Sequence, residues 1–119
     1  MAIVRVDQLD VFQTAHSLVL SVYRLTATFP SYEQFGLVSQ MRRAAVSVPA
    51  NIAEGFKRRG LRDKVHFYNM SQGSLEEVRY YLRLSVDLRY TALDENMSQL
   101  IDEATRMLHG LIESIERRS

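Results

Sequence analysis

The sequence predicts an all-α protein: an antiparallel up-down four-helix bundle with a Pro-kinked second helix, in one domain over residues 1–119. Three observations carry this prediction. Four segments repeat apolar residues at alternating spacings of three and four, the period of one helix face. No stretch alternates with period two over a useful length. Only 5 Gly and 2 Pro are present, too few for the turns of a many-stranded sandwich or barrel. At 119 residues and 46% hydrophobic residues, one domain can bury about two thirds of its unfolded surface.

The first stripe is Phe12, Ala15, Val19, Val22, Thr26 and Phe29, with Asp7 as its expected N-cap and Pro30 as its stop. A second apolar line, Val11, Leu18 and Leu25, widens this face. So broad a face is expected to leave apolar surface wet in a lone bundle and to favour assembly. The second stripe is Val38, Met41, Ala45, Val48, Ile52 and Phe56. It keeps phase across Pro49, so one bent helix is expected rather than two. Gly60 then breaks the chain.

The third stripe is Tyr68, Ser71, Leu75, Val78, Leu82 and Val86, running to about Tyr90. Asp94 is the expected N-cap of the fourth, which continues through Met97, Ile101, Ala104, Leu108, Leu111 and Ile115. Gly73 and Gly110 fall inside helices at a cost of about 1 kcal/mol each relative to alanine. Close helix approach is the expected compensation. Met41, Met70, Met97 and Met107 read as core filler.

Several chemistries find no support. The chain has no cysteine, which removes disulfides, thiolate metal sites and cysteine nucleophiles. His16, His66 and His109 fall on three different helices, and Asp63-x-x-His66 is the single approximation to a bundle metal motif, so no metal or other cofactor is expected. Neither GxSxG, GxGxxG nor a phosphate-binding loop occurs. Glu76 and Glu77 are adjacent and point about 100° apart on a helix, a poor acid/base pair. The expectation is a non-enzyme without a small-molecule substrate. Apolar runs such as Leu18-Val19-Leu20 are far too short to span a membrane. Met1-Ala2-Ile3-Val4-Arg5 lacks the pattern of a secretory signal, which points to the cytoplasm.

Charge is the informative feature. The whole chain carries a net +1, yet seven bases stand between positions 42 and 64 (Arg42, Arg43, Lys57, Arg58, Arg59, Arg62, Lys64) against Glu54 and Asp63. Such a segment attracts phosphate backbones, or else merely solvates a loop. Arg42, Arg43, Lys57, Arg58, Arg59 and Arg62 are therefore the candidate contacts to RNA or DNA. Along the same helix Arg43, Ser47, Asn51, Glu54 and Arg58 step by three or four, forming a polar ridge. Ser47, Asn51 and Glu54 on it suit a subunit contact, a solvated face or a nucleic-acid contact.

The stretch Ser47–Arg59, with Leu37-x-Ser39-Gln40-x-Arg42-Arg43-Ala44 before it and Gly73-Ser74-Leu75-x-Glu77 after it, resembles the bacterial four-helix-bundle protein family. That family includes proteins encoded in intervening sequences of 23S ribosomal RNA genes. Arg106-Met107-Leu108-x-Gly110-Leu111-Ile112 resembles its last helix, so the likeness covers residues 10 to 116. Lys64 stands where an aromatic is usual, and Ser71 where a small apolar residue is usual. The resemblance implies a left-handed up-down bundle, a homo-oligomer with five subunits in several members, and distant kinship with retroelement accessory variability proteins, which bind nucleic acid. It carries no catalytic residue. The expected function is a homopentameric helical scaffold binding RNA or DNA non-specifically; the alternative is a protein-interaction adaptor with no nucleic-acid role.

Overall fold

Each apolar stripe becomes one helix. The computed structural model describes residues 2–118, with α1 at Asp10–Thr26, α2 at Leu37–Lys57, α3 at Leu61–Asp87 and α4 at Glu95–Arg118. No strand occurs among the described residues. α1 packs on α2 and α4, and α3 packs on the same two, so neighbours in the chain are neighbours in space. This is the up-down bundle. Its extents of 46 × 25 × 21 Å reflect the 27-residue α3, about 40 Å long at 1.5 Å per residue.

The start of α1 differs from expectation. Asp7 is not its N-cap: it lies in a 3₁₀ turn, Val6–Gln8, ahead of the helix. The Gln8 Oε1 accepts the Val4 and Arg5 N–H groups at 2.8 and 2.9 Å, while Val6 and Leu9 pack against the core and pin the extra turn. α1 also stops at Thr26, before Pro30. Phe29 nevertheless stays buried, against Tyr90 with ring centroids 5.5 Å apart.

α2 runs unbroken through Pro49, as the continuous stripe predicts. Proline supplies no N–H there, so the Ala45 carbonyl loses its ordinary helical donor. α3 ends at Asp87, short of Tyr90. Its end is a Schellman motif: Tyr90 N–H donates to Ser85 O and Arg89 N–H to Val86 O, both at 2.9 Å, with Arg89 at φ 63°. Arginine holds the left-handed position that glycine usually fills. Asp94 caps α4 as predicted, accepting the Met97 N–H at 2.9 Å.

The core forms along the predicted stripes with small changes of phase. Val11, Leu18 and Val22 are fully buried on α1, whereas Phe12, Val19 and Leu25 flank them, half-buried against the core. The broad face of α1 is thus largely absorbed between α2 and α4 rather than left in water. On α3 Ser85 is buried in place of Val86, and on α4 Ile112 in place of Leu111. Ser71 is completely buried, its hydroxyl donating to Val48 O at 2.8 Å, so the polar atom placed in the core is satisfied. Met41 and Met97 are core residues, but Met70 is 46% exposed and fills nothing.

Gly73 and Gly110, the two glycines that helix propensity singles out, have no close neighbour. A Cβ at Gly73 or Gly110 would meet nothing within 4 Å, so helix approach compensates neither. The tight glycine is Gly55, where a Cβ would stand 2.6 Å from Tyr68 Cε1 across the α2–α3 seam.

Candidate nucleic-acid interface

The turn joining α2 to α3, residues 58–60, is short because both helices run to its edge. Lys57 closes α2, Arg58 and Arg59 stand in the turn, and Arg62 and Lys64 open α3. Two of these cations serve the fold. Lys64 Nζ donates to Phe56 O at 2.7 Å and Gly55 O at 3.2 Å, satisfying carbonyls at the α2 C-terminus. Burial, aided by the charge of Arg118, holds its ammonium pKa below the ordinary lysine value. Arg58 pairs with Glu54 at 2.9 Å and lies 4.7 Å over the Phe67 ring.

Lys57, Arg59 and Arg62 are exposed and have no hydrogen-bond or ion-pair partner among the described residues. Arg118 acts electrostatically on Lys64, which places the end of α4 beside this turn. Arg117 and Arg118 therefore join the basic end of the bundle. Reading the sequence locally misses them, although an up-down topology returns the α4 C-terminus to the α2–α3 turn. Glu54, Asp63, Glu113 and Glu116 dilute the charge at this end, yet Glu54 is engaged by Arg58 and Glu113 by His109 at 3.5 Å.

Arg42 and Arg43 do not belong to this cluster. Fourteen positions separate Arg43 from Lys57 on α2, about 21 Å along the axis. Arg42 turns toward α1: its Nε donates to Thr26 Oγ1 at 2.9 Å, a terminal nitrogen donates to Tyr23 O at 3.3 Å, and the guanidinium stacks 4.5 Å over the Tyr23 ring. It ties the α1 C-terminus to α2. Arg43 is exposed without a partner among the described residues and borders a cleft of about 550 Å³ between α1 and α2, whose lining includes Phe35 and Val46.

The polar ridge divides in the same way. Ser74 Oγ donates to Ser47 Oγ at 2.9 Å, and Asn51 Nδ2 donates to the Ser47 hydroxyl and carbonyl at 2.9 Å. Ser47 and Asn51 thus form a polar link within the α2–α3 seam. Glu54 lies outside it, with Arg58.

A second cleft, about 300 Å³ between α3 and α4, is edged by Arg79 and Arg83. Asp102 holds Arg79 at 2.8 Å and Asp87 holds Arg83 at 3.6 Å, which neutralises both. His16, His66 and His109 lie on α1, α3 and α4, and no three His, Asp or Glu side chains among the described residues converge on a metal position. Among the described residues no helix is long and apolar enough to cross a membrane.

Comparison with known proteins agrees with this architecture. The crystal structure of a protein with unknown function from the S23 ribosomal protein family of Bacteroides thetaiotaomicron superposes with a TM-score of 0.79 at 20% identity, covering 87% of this chain and 95% of that one. No curated protein matches the chain. The family described as "23S rRNA-intervening sequence protein" matches residues 7–110. With that span reaching from the turn before α1 far into α4, the chain belongs to the 23S rRNA-intervening sequence protein family.

Proposed function

We propose that this protein is a non-enzymatic helical scaffold that assembles with copies of itself and binds RNA or DNA through its phosphates, without sequence specificity. The observation carrying this reading is the set of cations with no structural task, Lys57, Arg59 and Arg62, held at and beside the short α2–α3 turn near Arg117 and Arg118. The exposed N-terminus of α3, which no side chain caps, adds its partial positive charge there. Phosphate contacts of this kind fix position but read no bases. In the five-membered ring that the family likeness suggests, each copy would add its own basic end, and the contacts would reinforce one another by effective concentration.

The test is a salt titration of RNA and DNA binding by the wild-type protein and by Lys57→Glu/Arg59→Glu/Arg62→Glu, with light scattering on both. About four phosphate contacts predict a slope of log K against log salt near −3.6, and about a hundredfold loss between about 50 and 200 mM salt. The reversed protein should lose retention at low salt. Retention unchanged by the reversal overturns the reading. Binding of a protein partner that is insensitive to salt, with no affinity for nucleic acid, favours the adaptor alternative, for which the exposed Phe35 is the supporting feature.

A further inference from the structure

The nucleic-acid reading rests on charge at one end of the bundle and says nothing of which form of nucleic acid is taken. A second place on the surface bears on that. Phe35 is 96% exposed, in the segment leading into α2. That segment is held firmly. Glu33 Oε1 accepts the Leu37 N–H at 3.2 Å, and Glu33 Oε2 accepts the Tyr90 hydroxyl at 2.7 Å, fixing the loop to both α2 and the α3–α4 connection. Gly36 makes room for this, since a Cβ there would stand 2.8 Å from the Glu33 carboxylate. With Glu33 turned inward, the Phe35 ring is presented to solvent on a pinned backbone.

The cleft beside it contains a second flat surface, the Arg42 guanidinium stacked on Tyr23. It also contains the unpartnered cation Arg43 and the hydrogen-bonding side chains of Gln34 and Ser39. No carboxylate lines it. Glu77 lies across the neighbouring α2–α3 groove but makes no ion pair with Arg43. An exposed aromatic ring, a half-exposed guanidinium plane, a free positive charge and no acid are features by which proteins hold unpaired nucleotides: the ring stacks a base of any identity, and the cation meets its phosphate.

We infer that the α1–α2 cleft binds an unpaired nucleotide of single-stranded nucleic acid, with the base stacked on Phe35 and the adjoining phosphate on Arg43. This rests on the proposed phosphate-binding function and narrows it from any nucleic acid to a preference for single strands. The basic end, about 21 Å along α2, then serves the same strand as it continues along the helix.

The experiment compares a short single strand, as RNA and as DNA, with a duplex of the same length, each strand carrying one 2-aminopurine. Wild-type protein should bind both single strands more tightly than duplex and quench the 2-aminopurine on binding. Phe35→Ala should lose the quench and weaken single-strand binding about tenfold while leaving duplex binding unchanged. Arg43→Gln should weaken single-strand binding and lower its salt slope by about one. Both side chains are exposed, so thermal unfolding of the variants should match wild type. Equal single-strand binding by Phe35→Ala and wild type overturns this inference while leaving the basic-end reading intact. Loss of all binding only on reversing Lys57, Arg59 and Arg62 has the same meaning. A fall in particle mass on Phe35→Ala also overturns it, because the cleft would then be a contact between copies.

Discussion

Gly73, Gly110 and Gly55 all sit within helices, but alanine should act on them with opposite signs. At Gly73 and Gly110 the added methyl meets nothing within 4 Å. Alanine there reduces the freedom of the unfolded chain and costs the folded state no contact, so each change should stabilise by about 0.5–1 kcal/mol. For a domain of this size that is an increase in Tm of about 2–5 °C. At Gly55 the methyl would lie 2.6 and 2.9 Å from two Tyr68 ring carbons and 3.2 Å from Phe67 Cβ. Tyr68 is 2% exposed, so its ring has no open side to turn toward. Overpacking of this kind costs about 1–3 kcal/mol, which the propensity gain of about 1 kcal/mol offsets only in part. Gly55→Ala should therefore be less stable than Gly73→Ala by about 1–3 kcal/mol in urea unfolding followed by far-UV circular dichroism. Equal stabilities for the two variants would refute the close α2–α3 approach. Destabilisation by Gly73→Ala would show that this exposed position is covered by something other than water.

Two further outcomes follow from single hydrogen bonds. Asp94→Ala removes the side chain that accepts the Met97 N–H and should cost about 1 kcal/mol in the same urea assay, whereas Asp94→Asn should retain most of that stability. The Tyr90 phenol is held well above its ordinary pKa, first by its hydrogen bond to Tyr32, then by that to Glu33, with burial and the Glu33 charge acting in the same direction. Since the folded state favours the protonated phenol, its contribution to stability is complete below the unfolded pKa of about 10 and is lost as pH rises above it. Tyr90→Phe should accordingly lower stability near neutral pH, and the gap from wild type should narrow on alkaline titration; a gap independent of pH would exclude this assignment.

The number of helices and their order were legible because each is amphipathic and bounded by a short connection. Asp94 could be read as a cap because Ala92 and Leu93 directly before it stay exposed and insert no extra turn ahead of α4. Asp7 could not, because Val6 and Leu9 pack half-buried against the core and insert a turn before α1 begins. The phase of the stripes was similarly underdetermined. Phe12 and Val11 are both apolar, and only packing between α2 and α4 decides that Val11 is the deeper. Helix propensity asks for compensation at Gly73 and Gly110; the compensation is absent there, and the steric need lies at Gly55, which only the α2–α3 packing makes visible.

The charged residues show a related limit. Composition gives seven bases between positions 42 and 64 one common sign, whereas the fold gives them different work. Arg42 closes the end of α1, Lys64 closes the end of α2, and Arg58 pairs within its own helix. These three would be present in a bundle that met no nucleic acid at all. Lys57, Arg59 and Arg62 take no part in such contacts among the described residues, and keeping like charges together at one turn carries a repulsive cost with no return inside the chain. The seam that holds them firm is itself polar at Ser47, Asn51, Ser71 and Ser74 and tight at Gly55. A flexible loop would solvate the same cations equally well. What the hairpin adds is a fixed spacing between positive charges, and that spacing matters to a partner with regularly placed phosphates far more than it does to water.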